Sequence, residues 1–321
     1  MGGDGGVATT VAAAVRFASL ADLTLVGDAP EIQAALTIDN DSIDVQHAGE
    51  VVTPADTLAD VLRHKPDSSM RRALRLHAEG HVDGVVSGGD TGALMALARQ
   101  QLHMIPGIER PAILKQIEGI SNNFWMLDLG ANLDCSAEQL LQFAQIGALV
   151  ACSLGGGARP RVALLNIGTE RRKGPEILQR AAESLAGDPE LEYVGFIEAD
   201  RLFLNYADVV VCDGFSGNIA LKSMEGAAHM AGHLLERKLS SMRGIRRLTM
   251  GLVRKTLQEL RDEFNPQRYN GASFVGLNGV VVKSHGGADT IGFQSALREA
   301  VLEIQNSIPE RLAVLFQGES S

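Results

Sequence analysis

Short apolar runs that end in glycine-rich turns alternate with amphipathic stretches along most of the chain. Leu-Thr-Leu-Val-Gly at 23–27, Val-Asp-Gly-Val-Val-Ser-Gly-Gly at 82–89, Arg-Val-Ala-Leu-Leu-Asn-Ile-Gly at 161–168, Ala-Asp-Val-Val-Val-Cys-Asp-Gly at 207–214 and Gly-Val-Val-Val-Lys at 279–283 follow this plan. Unbroken Val, Leu and Ile runs are what strands covered on both faces look like. Residues 69–79 and 174–186 carry helical periodicity between such runs. Strand, helix, strand in alternation predicts an α/β fold with a mainly parallel sheet. Ligands of such sheets bind at the carboxyl ends of the strands, and here those ends are the glycine-rich turns.

The stretch 225–264 departs from the pattern. It holds no strand-like run and reads as a helical hairpin with a break near Gly244, projecting from a single domain that spans 1–321. Arg237, Lys238, Arg243, Arg246, Arg247, Arg254 and Lys255 are the only charges in 237–258, which therefore carries +7. The whole chain has a net charge of -10, so the remainder carries -17. An acidic total with 4% aromatic residues argues against a nucleic-acid coat or a base-stacking surface. Cys135, Cys152 and Cys212 are far apart and form no C-x-x-C pair. Neither a zinc site nor a disulfide framework is expected, and a reducing cytoplasm suits this usage. The first residues lack the features of a signal peptide, and no apolar run approaches the roughly 18 residues that span a bilayer. Membrane contact, where it occurs, is expected to be peripheral.

Several strand-end turns carry candidate chemistry. Ser87-Gly88-Gly89-Asp90-Thr91-Gly92 lies between a strand and an apolar helix. Its glycines allow backbone N–H groups to turn inward, and a helix N-terminus favours an anion. The plainer reading is a tight turn with Asp90 or Thr91 as the N-cap. Lys173, after Gly168 and Thr169, falls where a helix would begin, a position the helix dipole disfavours unless an anion binds there. Solvated surface charge is the alternative. Asn218 opens the helix after the 207–214 strand and suits either a hydrogen bond to a carbonyl or phosphate oxygen, or capping. Asn132 and His285 sit in two further turns of the same kind. These groups suit an oxyanion. They include no clustered Asp/Glu set for a metal and no evident nucleophile–base pair, so neither metal nor cofactor is expected. Cys212 falls within a predicted buried strand and is expected to be inert.

Met1-Gly2-Gly3-Asp4, Lys65-x-x-Ser68-Ser69-Met70, Ser87-Gly88-Gly89-Asp90-Thr91-Gly92-Ala93, Asp128-Leu129-Gly130-Ala131-Asn132, Leu165-Asn166-Ile167-Gly168-Thr169-Glu170-x-x-Lys173-Gly174, Asp213-Gly214-Phe215-Ser216-Gly217-Asn218 and Lys283-Ser284-His285-Gly286 occur in this order. With this ordered set, covering nearly the whole length, the chain resembles the bacterial PlsX-type phosphate acyltransferases of phospholipid synthesis. The resemblance implies transfer of a long-chain acyl group from acyl carrier protein to inorganic phosphate. It also implies a three-layer fold like that of isocitrate and isopropylmalate dehydrogenases, and a homodimer. The sequence departs from the family in three places. The family has a strand before the Met-Gly-Gly-Asp motif, whereas this chain starts on it. The family usually has Asn where Asp90 stands, and a carboxylate there would repel phosphate unless it is turned away as a cap. Pro soon after the first motif is replaced by Gly6-Val7.

On that resemblance, Lys173 is expected to hold phosphate and Asn218 to stabilise the oxyanion. Ser87, Gly88, Gly89, Thr91, Gly92, Asn132, Gly168, Thr169 and His285 are expected to contact substrate. Arg243, Arg246, Arg247, Arg254 and Lys255 are expected to meet the acidic carrier protein, an anionic membrane surface, or both, next to a downstream membrane acyltransferase. A solvated helix face is the plain alternative for the basic stretch. Two rival functions stay open: a short-chain phosphate acetyltransferase using coenzyme A, and an inactive membrane-associated scaffold.

Overall fold

The computed structural model describes residues 2–36, 41–155, 159–240 and 266–317. The chain opens with α1 (Gly6–Phe17), β1 (Leu23–Gly27), α2 (Ala29–Ala35), β2 (Ile43–His47), α3 (Leu58–His64), α4 (Ser69–Ala78), β3 (Gly84–Ser87) and α5 (Thr91–Leu102). The middle of the chain forms β4 (Ala112–Ile117), β5 (Phe124–Leu127), α6 (Ala137–Ser153), β6 (Arg161–Leu165), α7 (Glu176–Gly187), β7 (Glu192–Ile197), β8 (Val209–Val211) and the long helix α8 (Gly214–Ser240). After the undescribed stretch come β9 (Ala272–Val275), β10 (Val280–Lys283), α9 (Thr290–Gln305) and α10 (Ile308–Gln317). The expected hairpin at 225–264 is described only as far as residue 240. Arg243, Arg246, Arg247, Arg254 and Lys255 lie outside the described residues.

Eight strands form the central sheet in the order β3-β10-β9-β4-β5-β8-β6-β7. Successive side chains of a strand point to opposite faces, and each face of this sheet has its own core. Trp125 and Leu127 of β5 join α6, α7 and α10 in one. Phe124 and Met126 join α4, α5 and part of α8 in the other. Two helical layers around one sheet give the three-layer architecture.

Residues 23–27, expected to be a strand buried on both faces, form a strand of a different kind. β1 pairs only with β2 in a separate two-stranded sheet, and only Leu25 and Gly27 along it are buried. A small core of Val7, Val11, Ala14, Leu25 and Ile32 holds this sheet to α1 and α2. A cavity of about 670 Å³, lined by residues of both β1 and β3, lies between the two sheets.

Strand direction decides where the turns can meet. β3 and β10 are parallel, β10 and β9 antiparallel, β9 and β4 antiparallel, and β4 and β5 antiparallel. β5, β8, β6 and β7 then run parallel to one another. The carboxyl ends of β3 and β10 therefore lie on the opposite edge of the sheet from those of β5, β8 and β6. A twist of about 20–25° per strand pair accumulates to roughly 90° over the four steps from β10 to β8. α8, which begins at the β8 turn, reaches towards the β3 and β10 turns, where the charge of its Lys222 is felt by Lys283 and His285.

Candidate active site

The first set of turns joins three segments. The N–H of Ser284 donates to Ser87 O at 2.9 Å and that of Asp4 to Gly286 O at 2.8 Å. The Gly2–Asp4 turn, the 87–92 turn and the 283–287 turn therefore form one surface. Gly3 packs so close to Gly286 that a Cβ would stand 3.1 Å from the Gly286 carbonyl oxygen. Asp90 is the N-cap of α5: its Oδ1 accepts from Ala93 N–H at 2.8 Å. Its charge is thus partly committed to the helix. Lys65 is bound to Asp56 and to Val51 O, and it serves the fold.

His285 is set by a neighbour the sequence reading missed. Buried Asn270 accepts from His285 N–H at 2.8 Å and donates to Ser284 Oγ at 2.7 Å and to Gly292 O at 2.9 Å. His285 Nδ1 accepts from Gly287 N–H at 3.0 Å, which leaves the proton of the neutral ring on Nε2. Burial, reinforced by the Lys222 ammonium, pushes the His285 pKa down. Burial also brings Lys283 down to about 8, against the pull of Asp90 and Asp4.

The second set is built on Asp128. Its buried carboxylate accepts from the backbone N–H groups of Ile113, Gly130, Ala131 and Asn132 and from Asn132 Nδ2, all within 2.7–3.1 Å. Burial raises its pKa and these donors oppose the rise. The amide of Asn132 also donates to Pro111 O at 2.8 Å, so its N–H groups are spent on the fold. Asp213 caps α8 through Ser216 N–H and Ser216 Oγ. Asn218 is therefore not the cap. It is exposed, it sits on Gly130, and its amide has no hydrogen-bond partner among the described residues. Cys212 is fully buried, and desolvation holds its thiol well above the usual range.

The third turn leaves β6 beside β8. Asn166 closes it by accepting from Ile167 N–H at 2.8 Å and donating to Lys173 O at 3.0 Å. The Lys173 side chain folds over Gly168, with Nζ 3.0 Å from Glu170 Oε1. α7 begins only at Glu176, so Lys173 stands ahead of the helix. Glu170 supplies a counter-charge where the sequence suggested an anion. Thr169 is exposed beside it.

Asn218 and Lys222 are one helical turn apart on α8 and share a face. Lys222 is ion-paired to Glu225 at 2.7 Å, and its charge is felt by Lys283, His285 and Lys115. α8 thus carries a polar row from the Lys173 turn to the His285 turn. Asn218 meets the Asp128 turn at Gly130, and the turn that carries Lys173 leaves β6, the strand next to β8. His285 and the 87–92 turn belong to the first set of turns. Lys222, Lys283, Asn270 and Asp128 were not singled out as site residues from the sequence. Their signals were the positions of Lys222 four residues after Asn218, and of Lys283 and Asp128 at strand ends. Asn270 carried no signal.

Among the described residues, no group of three or more His, Cys, Asp or Glu could hold a metal ion, and no helix is long and apolar enough to cross a membrane. Residues 1–311 match the family described as fatty acid synthesis protein. A phosphate acyltransferase of Pseudomonas fluorescens is 48% identical over 322 residues, covering 97% of this chain and 94% of its own. Among solved structures, a phosphotransacetylase from Streptococcus pyogenes superposes with a TM-score of 0.62 at 18% identity, covering 94% of this chain and 92% of its own. A 4-hydroxythreonine-4-phosphate dehydrogenase from Klebsiella pneumoniae does so with a TM-score of 0.50 at 13% identity, over 88% of this chain and 90% of its own. The expected dehydrogenase-like α/β fold is thereby borne out.

Proposed function

The chain belongs to the fatty acid synthesis protein family, that of the phosphate acyltransferases, and from this membership we propose that it moves a long-chain acyl group from acyl carrier protein to inorganic phosphate. That it is a transferase joining acyl groups to phosphate follows from the family itself. The carrier protein and the chain length belong to the proposal.

A phosphate oxygen attacks the thioester carbonyl carbon. A tetrahedral oxyanion forms, the C–S bond breaks, and the thiolate leaves to take up a proton. Phosphate is nucleophilic near neutral pH, so the protein has to position the reactants and offset charge. Lys173 leaves Glu170 to hold the phosphate. The amide of Asn218 donates to the oxyanion, and the cation of Lys222 lies one turn further along α8. The proton on His285 Nε2 and the Lys283 ammonium, which donates to Ser284 O, lie within reach of the Lys222 charge and would meet the leaving thiolate. Both α5 and α8 have a carboxylate at the N-cap, so lysines rather than helix termini carry the anion.

The observation that supports this reading most is Asn218: an amide held over Gly130, one turn before Lys222 on α8, with no hydrogen-bond partner among the described residues. The same reading includes a homodimer, and a basic stretch at 237–258 that meets the carrier protein and an anionic membrane surface. Incubation with acylated carrier protein and phosphate, with acyl phosphate trapped by hydroxylamine, tests the activity. Lys173→Ala and Asn218→Ala should each lower kcat by about 10²–10³. Near-full activity in either variant removes that residue from the mechanism. Faster turnover of acetyl-coenzyme A than of the acylated carrier protein would make the chain a short-chain enzyme, and no acyl phosphate from either donor would leave an inert scaffold.

A further inference from the structure

Beside the catalytic turns lies an apolar groove of about 1320 Å³. Its mouth is formed by Asn166, Pro175, Asp213 and Ser216, which belong to the turns that place Lys173 and Asn218. From there it runs along α8, with Ile117 to Ile120 and Phe203 as the opposite wall. Ile120 and Ile167 are each 77% exposed, Phe215 59% and Ile219 51%, an unusual set of large apolar side chains to leave in water beside polar turns.

Two adjacent rows of α8 form the helical wall. One is Phe215, Ile219, Ser223, Ala227 and Ala231; the other is Ser216, Ala220, Met224 and Ala228. Residues four apart stack on one face. The first row shrinks from Phe and Ile to Ser and Ala with distance from the mouth, and this keeps the far part of the groove open. Asn218 and Lys222 lie on a separate row. α8 therefore presents the reacting polar groups on one side and the apolar wall on another, with both starting at the same end of the helix. Lys115, Glu118 and Glu225 are the charged groups on the groove's flank, with Asp213 at its mouth.

We propose that this groove holds the acyl chain of the substrate, with its thioester end at the Asn166–Ser216 mouth and its methyl end towards Ala231, so that α8 acts as a ruler of chain length. The proposal rests on the long-chain reading above. The occupant follows from continuity: an acyl carbon within reach of Asn218 has its chain at the groove's mouth, and the groove is the apolar space that opens there. From Ser216, the helix rises about 10 Å to Ser223 and about 22 Å to Ala231. Each methylene buried in the groove should raise kcat/KM about fourfold.

The test is a kcat/KM profile over acyl donors of increasing chain length, measured for the native protein, Ser223→Trp and Ala231→Trp, with the sedimentation behaviour of each recorded. In the native protein kcat/KM should climb with chain length. Ser223→Trp should end the climb at short chains, and Ala231→Trp only near the longest. The ratio of kcat/KM for the longest to the shortest donor should fall at least tenfold in Ser223→Trp. A native profile that is flat in chain length defeats the long-chain reading itself. A native preference for long donors that both variants retain overturns the groove alone. An unchanged ratio with a loss of self-association in the variants also overturns it, and makes the groove a contact between copies of the chain.

Discussion

At the scale of single residues, the buried carboxylates divide into two kinds. Asp128 is surrounded by donors, whereas Glu303 of α9 has one, Ser273 Oγ at 2.8 Å, and its Oε1 is buried with no partner. Burial first, and then the charge of Glu299, raise Glu303 from 4.5 to about 8; burial raises Glu299 to about 7. The folded chain then keeps a proton that the unfolded chain gives up. The stability this proton supplies is whole below pH 4.5 and is lost as the pH climbs towards 8. Denaturant unfolding should show a decline over that window on the order of 2–4 kcal/mol. Glu303→Gln should flatten it and raise stability at pH 8. An equal decline in the variant would assign the pH dependence to other groups.

At the scale of elements, α8 is seated by glycine. A Cβ at Gly217 would overlap the Asp128 carbonyl oxygen and reach Cys212 Sγ, and one at Gly214 would lie 2.9 Å from Asp128 Oδ2. The helix start can approach the Asp128 turn only without these side chains, and that approach sets Asn218 over Gly130. Gly217→Ala should cost about 1–3 kcal/mol in unfolding free energy, because overpacking must push the helix outward. A shift near 1 Å at Asn218 should lower kcat about 10²-fold at temperatures where the variant is fully folded. A normal kcat would mean that Asn218, as α8 seats it, is not the oxyanion donor proposed above.

Elements also show what the sequence could reveal. The runs at 161–168, 207–214 and 279–283 became β6, β8 and β10, because uninterrupted branched residues have few alternatives to a covered strand. The periodic stretches became α4 and α7, each within two residues of its expected end. β9 and β4 had no such signature, yet their antiparallel pairing reverses the sheet and divides the strand-end turns between two edges. The candidate turns therefore do not share one edge of the sheet. That division depends on strand direction, which is a property of pairing rather than of any local run. Lys173 and Asn218 stand out in the sequence as candidates because glycine surrounds them. Asn270 and Asp128 act by hydrogen-bonding segments distant in sequence, and no local pattern marks that role.

At the scale of the whole molecule, charge is arranged against its expected partner. A carrier protein that is strongly acidic would be repelled by the -17 outside residues 237–258 and attracted by the +7 within them. At physiological ionic strength the screening length is about 8 Å, so only charges close to the contact count. Attraction of this kind acts on encounter more than on the bound complex. KM for the acylated carrier protein should therefore rise with added salt while kcat stays level. Reversing two positions, Arg246→Glu with Arg247→Glu, takes the stretch from +7 to +3. It should raise KM about tenfold at low salt and remove most of the salt dependence, because fewer favourable charges remain to be screened. On the proposed reading the acyl chain and the phosphate bind outside this stretch, so turnover at saturating donor should be unaffected. An unchanged KM at low salt would place the docking face outside this stretch. The basic residues would then serve an anionic surface of another kind, which co-sedimentation with vesicles of acidic lipid would register as a loss of binding in the same variant.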